Sequence, residues 1–289
     1  MMLRLTMQHV ASLALISATS AAAAEHAAIA PYLADDVSSV VYLDLAKFNL
    51  PAIAAEMERL KLIPDNHLES SKKETIVIQG IYDQLPTLGA RRAYLLVRAS
   101  DIFQGGPVLI VEVAEEGQSQ AVADWLKSWV AEAQMLGDVA AYLPKECEAH
   151  GKVVVGAASL ERIKAIVVSR DDSPRPEALA ALTAASDADA GWVAFGDADS
   201  RRVVREMFPQ LPAPFMEIDG KLLADGLKWI GVTCQLPPEP RLSVTFEAAA
   251  PETAATLSQA IEKAVELAKA FLMKEMIDGP PAHQARAKT

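Results

Sequence analysis

The chain has 289 residues, 51% of them hydrophobic, and 38 acidic side chains against 27 Lys and Arg give a formal net charge of -11. That balance argues against a nucleic-acid partner, which demands a concentrated basic face. Two cysteines cannot staple a fold of this length, and the five histidines form no H-x-x-x-H or H-E-x-x-H spacing and the cysteines no C-x-x-C, so no transition-metal site or other cofactor is called for.

The chain opens like an export signal. Arg4 is the only charged side chain before Glu25, and an apolar stretch from Val10 to Ile16 runs into an Ala-rich tail. Ala22 and Ala24 supply the A-x-A pattern of a cleavage site, which places the cut after Ala24. The stretch is too short for a permanent span, and no later run reaches the roughly 18 apolar residues a membrane helix needs. The mature protein is therefore expected to be periplasmic or extracellular, with no membrane span.

Ala30 to Asp36 forms a short lead-in, and the density of Val, Tyr and Leu from Val37 to Leu45 predicts a buried strand. Asn49 and Pro51 then start a helix running to about Leu62, with Ile53, Met57 and Leu60 inside and Pro64 ending it. Ser70 to Leu85 also reads as helix, an insertion with no later counterpart. A hairpin follows, Ala93 to Ala99 and Val108 to Ala114, joined through Gly105-Gly106-Pro107. From Ser119, Val122, Trp125, Leu126, Trp129 and Val130 recur every three or four residues, the stripe of a helix lying on a sheet. Lys145 to Glu148 pairs with Lys152 to Val155, and Ser159 caps a helix through Val167.

The pattern then recurs. Ser39-Val40-Val41-Tyr42-Leu43-Asp44-Leu45-Ala46 matches Gly191-Trp192-Val193-Ala194-Phe195-Gly196-Asp197-Ala198, and Ala93-Tyr94-Leu95-Leu96-Val97 matches Lys228-Trp229-Ile230-Gly231-Val232. Pro107 to Val113 matches Pro240 to Phe246, and helices Arg201 to Phe208 and Glu252 to Ile277 complete the second copy, which lacks a last strand. The expected fold class is α+β: two ferredoxin-like strand-helix-strand-strand-helix repeats with antiparallel sheets and helices on one face, the second abbreviated. The boundaries are a signal peptide over 1–24, a first repeat over 25–170, a linker over 171–190, a second repeat over 191–277 and a disordered tail over 278–289.

Candidate chemistry is sparse. Asp44 and Asp197 each stand just beyond the first strand of their copy; facing a shared cleft they would be cation ligands or an acid and base, whereas singly they are turn or helix caps. Tyr42, Phe195, Tyr94 and Trp229 repeat between copies and read as core between sheet and helices, with a ligand site as the alternative. Arg201, Arg202 and Arg205 read as a solvated helix face among Asp197, Asp199 and Glu206. Cys234 alternates with Ile230 and Val232 as a buried hydrophobe would, and whether it can meet Cys147 in a disulfide is a question of geometry. No nucleophile elbow, Walker loop or dinucleotide fingerprint occurs.

The Ala-rich leader, the lead-in Ile29-Ala30-Pro31-Tyr32-Leu33-Ala34-Asp35-Asp36-Val37 and the strand Val40 to Leu45 resemble exported bacterial proteins with duplicated α+β domains of unknown function. That resemblance implies no catalytic residue. The expected function is a non-enzymatic binding or interaction module whose partner is another exported protein or a second copy of the chain; a hydrolase with a dispersed site between the repeats is the alternative.

Overall fold

Alternation of buried and exposed side chains sets the architecture. In strand β2 (Val37–Asp44), Val40 and Tyr42 are buried while Val41 between them is exposed, the period-two pattern of a sheet. A computed structural model describes residues 6–9, 26–59, 79, 82–98, 101, 106–133, 144–168, 175–185, 188–196, 198–207 and 209–278. In chain order its elements are β1 (Thr6–His9), β2, α1 (Leu50–Arg59), α2 (Gln84–Thr87), β3 (Ala90–Arg98), β4 (Val108–Val113), α3 (Ser119–Ala133), β5 (Glu146–His150), β6 (Val153–Ala157) and α4 (Leu160–Val168). There follow α5 (Pro176–Ala184), β7 (Ala190–Phe195), α6 (Ala198–Met207), α7 (Gly220–Gly226), β8 (Leu227–Gln235), β9 (Arg241–Ala248) and α8 (Pro251–Asp278).

The fold is α+β, with strands β2 to β9 in one antiparallel sheet and β1 lying parallel along its β9 edge. The order is β1-β9-β8-β7-β2-β3-β4-β6-β5. At the centre β2 and β7 pair antiparallel, Val40 opposite Val193 and Val41 opposite Trp192. From this seam β3 and β4 step outward on one side, and β8 and β9 on the other.

Two expectations are corrected here. In a ferredoxin-like unit the first two strands run parallel with a third between them; here β2 and β3 are antiparallel neighbours, fixed by the Tyr42–Tyr94 cross-strand pair. Nor do the helices share one face. The front face packs Val40, Tyr42, Tyr94, Phe195 and Trp229 under α4, α5 and the lead-in residues Ile29, Tyr32 and Leu33. The back face carries α3 over β4, β5 and β6, and carries α7 and α8 over β8 and β9. A single sheet buried on both faces needs helices on both.

The 171–190 segment, expected as linker, contains α5, whose Ala178, Ala181 and Leu182 are buried in the front core. Its alternating Ala and Leu carry no charge run to mark it. The helix expected over Ser70 to Leu85 lies mostly outside the described residues, as do Pro64 and the tail. The hairpin of β5 and β6 and the Ser159-capped α4 fall where expected, the Arg162 N–H donating to Ser159 Oγ at 3.3 Å.

Candidate functional site

The β2–β7 seam buries one face and opens the other. Because Val40, Tyr42, Val193 and Phe195 point to the front core, Val41 and Trp192 must point to the back. There they lie opposite one another, 39% and 41% exposed, between the part of the sheet under α3 and the part under α7 and α8. An exposed tryptophan in the middle of a sheet is an exception that calls for a reason.

Beside Trp192 a cavity of about 350 Å³ opens, floored by Ala194 and Ile230 and walled by Val204 of α6 and Leu223 of α7. Its polar groups sit at one end: Ser38, Ser39, Ser200 and Arg201. The guanidinium of Arg201 donates from Nε to Gly196 O at 2.6 Å and from Nη2 to Leu227 O at 2.9 Å, which fastens α6 to the ends of β7 and the start of β8. Arg205 pairs with Asp225 of α7 at 2.7 Å. These arginines therefore hold a cavity wall in place, beyond the solvated helix face expected of them. Across the seam a smaller apolar cavity of about 200 Å³ lies under α3, lined by Leu95, Leu109, Trp125 and Trp129.

At the other end of β2 a polar cavity of about 600 Å³ is lined by Asp44, Arg91, Arg92 and Glu112 with small residues from Ala46, Gly89 and Ala90. No hydroxyl nucleophile, imidazole or thiol lines it among the described residues. Asp44 acts as a turn cap, accepting from the Ala46 N–H at 3.0 Å, with Lys47 Nζ at 4.0 Å. Lys47 is held more closely by Asp189, at 2.8 Å. Asp197 lies outside the described residues.

The aromatics expected to repeat are core. Tyr42, Tyr94, Phe195 and Trp229 are at most 3% exposed. Tyr94 is further tied to His26, whose Nδ1 lies 3.0 Å from its hydroxyl, and burial raises the Tyr94 phenol well above its ordinary range. His150 lies beside Glu148 on β5, and His67 and His283 lie outside the described residues. Cys147 is on β5 and Cys234 on β8, with five strands between them. At about 4.8 Å per strand they are on the order of 29 Å apart, so they cannot form the intramolecular bond weighed from sequence. Burial pushes the Cys147 thiol up to about 11; burial, then the charge of Asp189, raises Cys234. Neither is a thiolate nucleophile at neutral pH.

The residues that sequence reasoning passed over are Val41 and Trp192. The signal was present: once Val193 and Phe195 are assigned to the core, period two sends Trp192 to the opposite face. What could not be read was that no described helix covers that face at the seam. Comparison with protein-family models, curated proteins and solved structures finds no match to this chain.

Proposed function

We propose that this chain is an exported, non-enzymatic binding module made of two repeats, and that its working surface is the apolar trough along the β2–β7 seam. The observation that carries the reading is the exposed Val41–Trp192 pair beside a largely apolar cavity. Apolar hollows with a few polar groups at one end are the usual form of a ligand site. Export rests on the leader and on the resemblance given above.

Two registers support duplication. Matched on Tyr42 and Phe195, one residue from the match of Ser39–Ala46 with Gly191–Ala198, Val40 is the equivalent of Val193, and these two pair directly, as residues on a twofold axis between the copies would. Tyr42 faces Tyr94 in one half, and their equivalents Phe195 and Trp229 face each other in the second. The match is looser at the outer strands: Tyr94 opposes Ile110 and Trp229 opposes Glu247, four residues from the sequence pairing of Ile110 with Ser243. The trough then lies where the copies meet.

The test is fluorescence titration with anilinonaphthalene sulfonate, an apolar anionic probe. Wild type is expected to bind it saturably in the folded state, and Trp192→Ala to abolish that binding with an unchanged circular dichroism spectrum. Equal binding by both proteins would place the apolar surface elsewhere and refute the reading.

A further inference from the structure

The sheet has two edges, and they differ in how they are protected. The β5 edge is five residues long and carries Glu146, Glu148 and His150 on one face, the charged short strand by which sheets resist pairing. The β9 edge is eight residues long, Arg-Leu-Ser-Val-Thr-Phe-Glu-Ala, with Val244 and Phe246 over α8 and Ser243 and Thr245 on the front. It has no comparable charge guard along its middle. What lies on it is β1, parallel, with Thr6 opposite Ser243 and His9 opposite Phe246. Those residues fall within the leader expected to be cut after Ala24.

We infer that β1 is a temporary cover, and that its removal with the leader leaves β9 to pair antiparallel with β9 of a second copy. A second copy fits because the β9 edge is self-complementary. In an antiparallel twofold pair centred on Val244, Val244 meets the partner's Val244, Ser243 meets the partner's Thr245, Leu242 meets the partner's Phe246, and Arg241 meets the partner's Glu247. Directly opposed residues share a face, so apolar meets apolar on the back and opposite charges meet on the front, twice by symmetry. Shifting the centre by one residue puts Ser243 against the partner's Glu247 or Arg241 against the partner's Thr245, and both charge pairs vanish. Isologous pairing also closes, because each copy offers one such edge, so the product is a dimer and not a fibre. The inference does not depend on the trough, which lies two strands inward.

The test measures mass by sedimentation equilibrium. The full 289-residue chain is expected to be a monomer of 30.9 kDa. The full chain carrying Met7→Pro and Gln8→Pro, which cannot donate ladder hydrogen bonds from β1, is expected to be a dimer, as is the chain after export and cleavage by its own host. Adding Arg241→Glu to the released chain sets glutamate against the partner's Glu247 at both ends and is expected to weaken the dimer roughly tenfold or more. Adding Glu247→Arg to that variant restores the opposite charges and the dimer. A released or exported chain that remains monomeric overturns the inference, and so does a dimer indifferent to Arg241→Glu.

Discussion

Gly191 is where a single atom decides the packing of the seam. A Cβ there would sit 2.5 Å from Cε1 of the Tyr42 ring, while the Tyr42 hydroxyl donates to Ala185 O at 2.5 Å and cannot easily swing away. Gly191→Ala is expected to cost about 1–3 kcal/mol, read as a lowered denaturant midpoint. Asp101 presents the opposite hazard, a buried carboxylate bonded to Arg162 and to the Arg98 N–H at 2.7 Å. Arg162→Leu leaves that charge uncompensated, and chemical denaturation is expected to show a loss of about 3–5 kcal/mol. Glu247 supplies a pH dependence. Burial pulls its carboxyl upward, but hydrogen bonds from Lys228 and the Trp229 indole at 2.7 and 2.8 Å, with the Lys228 charge, outweigh it and hold the group below the ordinary glutamate range. A depressed folded pKa stabilises above the unfolded value and is lost as pH falls through the folded one. Melting temperature should therefore fall more steeply on acidification in wild type than in Glu247→Gln; parallel curves would contradict that assignment. The cysteines were half legible in the sequence. Alternation identified Cys234 as strand-borne, but strand order, which no local pattern encodes, separates it from Cys147.

At the scale of elements, strands proved more legible than their neighbours. The Val-rich run after the turn at Gly151, with φ of +62°, marks β6 locally, and β9, Arg241 to Ala248, overlaps the run expected from Pro240 to Phe246. Helix α5 was missed because a short Ala-Leu segment after two prolines looks the same as a linker until it has a core to bury against. Strand order was misjudged for a related reason: the segment of more than forty residues between β2 and β3 allows either a crossover or a return, and only the Tyr42–Tyr94 pairing chooses. The seam itself makes a sharp prediction. Val40 and Val193 are fully buried and directly opposed, so truncating either to Ala should cost about 2 kcal/mol. Because they touch, a double-mutant cycle should show coupling between the halves, whereas additive losses would mean that the pair is not in contact.

For the whole molecule the consequence is that two halves proposed as repeats need not be two folding units. One front core holds Val40, Tyr94 and Leu96 from the first half together with Val193, Phe195 and Trp229 from the second. Unfolding should accordingly follow a single transition by both fluorescence and circular dichroism. The shared sheet also explains why the candidate site was the least legible part of the sequence. Neither Val41 nor Trp192 belongs to a catalytic or binding motif, and among the described residues the seam falls between two helical layers that each cover an outer part of the back face. On the proposed reading this trough holds a molecule. Its most direct test is to purify the protein gently from its own host beside Trp192→Ala and identify by mass spectrometry what each retains. A stoichiometric companion of the wild type that is absent from the variant is the expected result; a wild type that comes alone, or a companion retained equally by both, would contradict the assignment of the seam as the working surface.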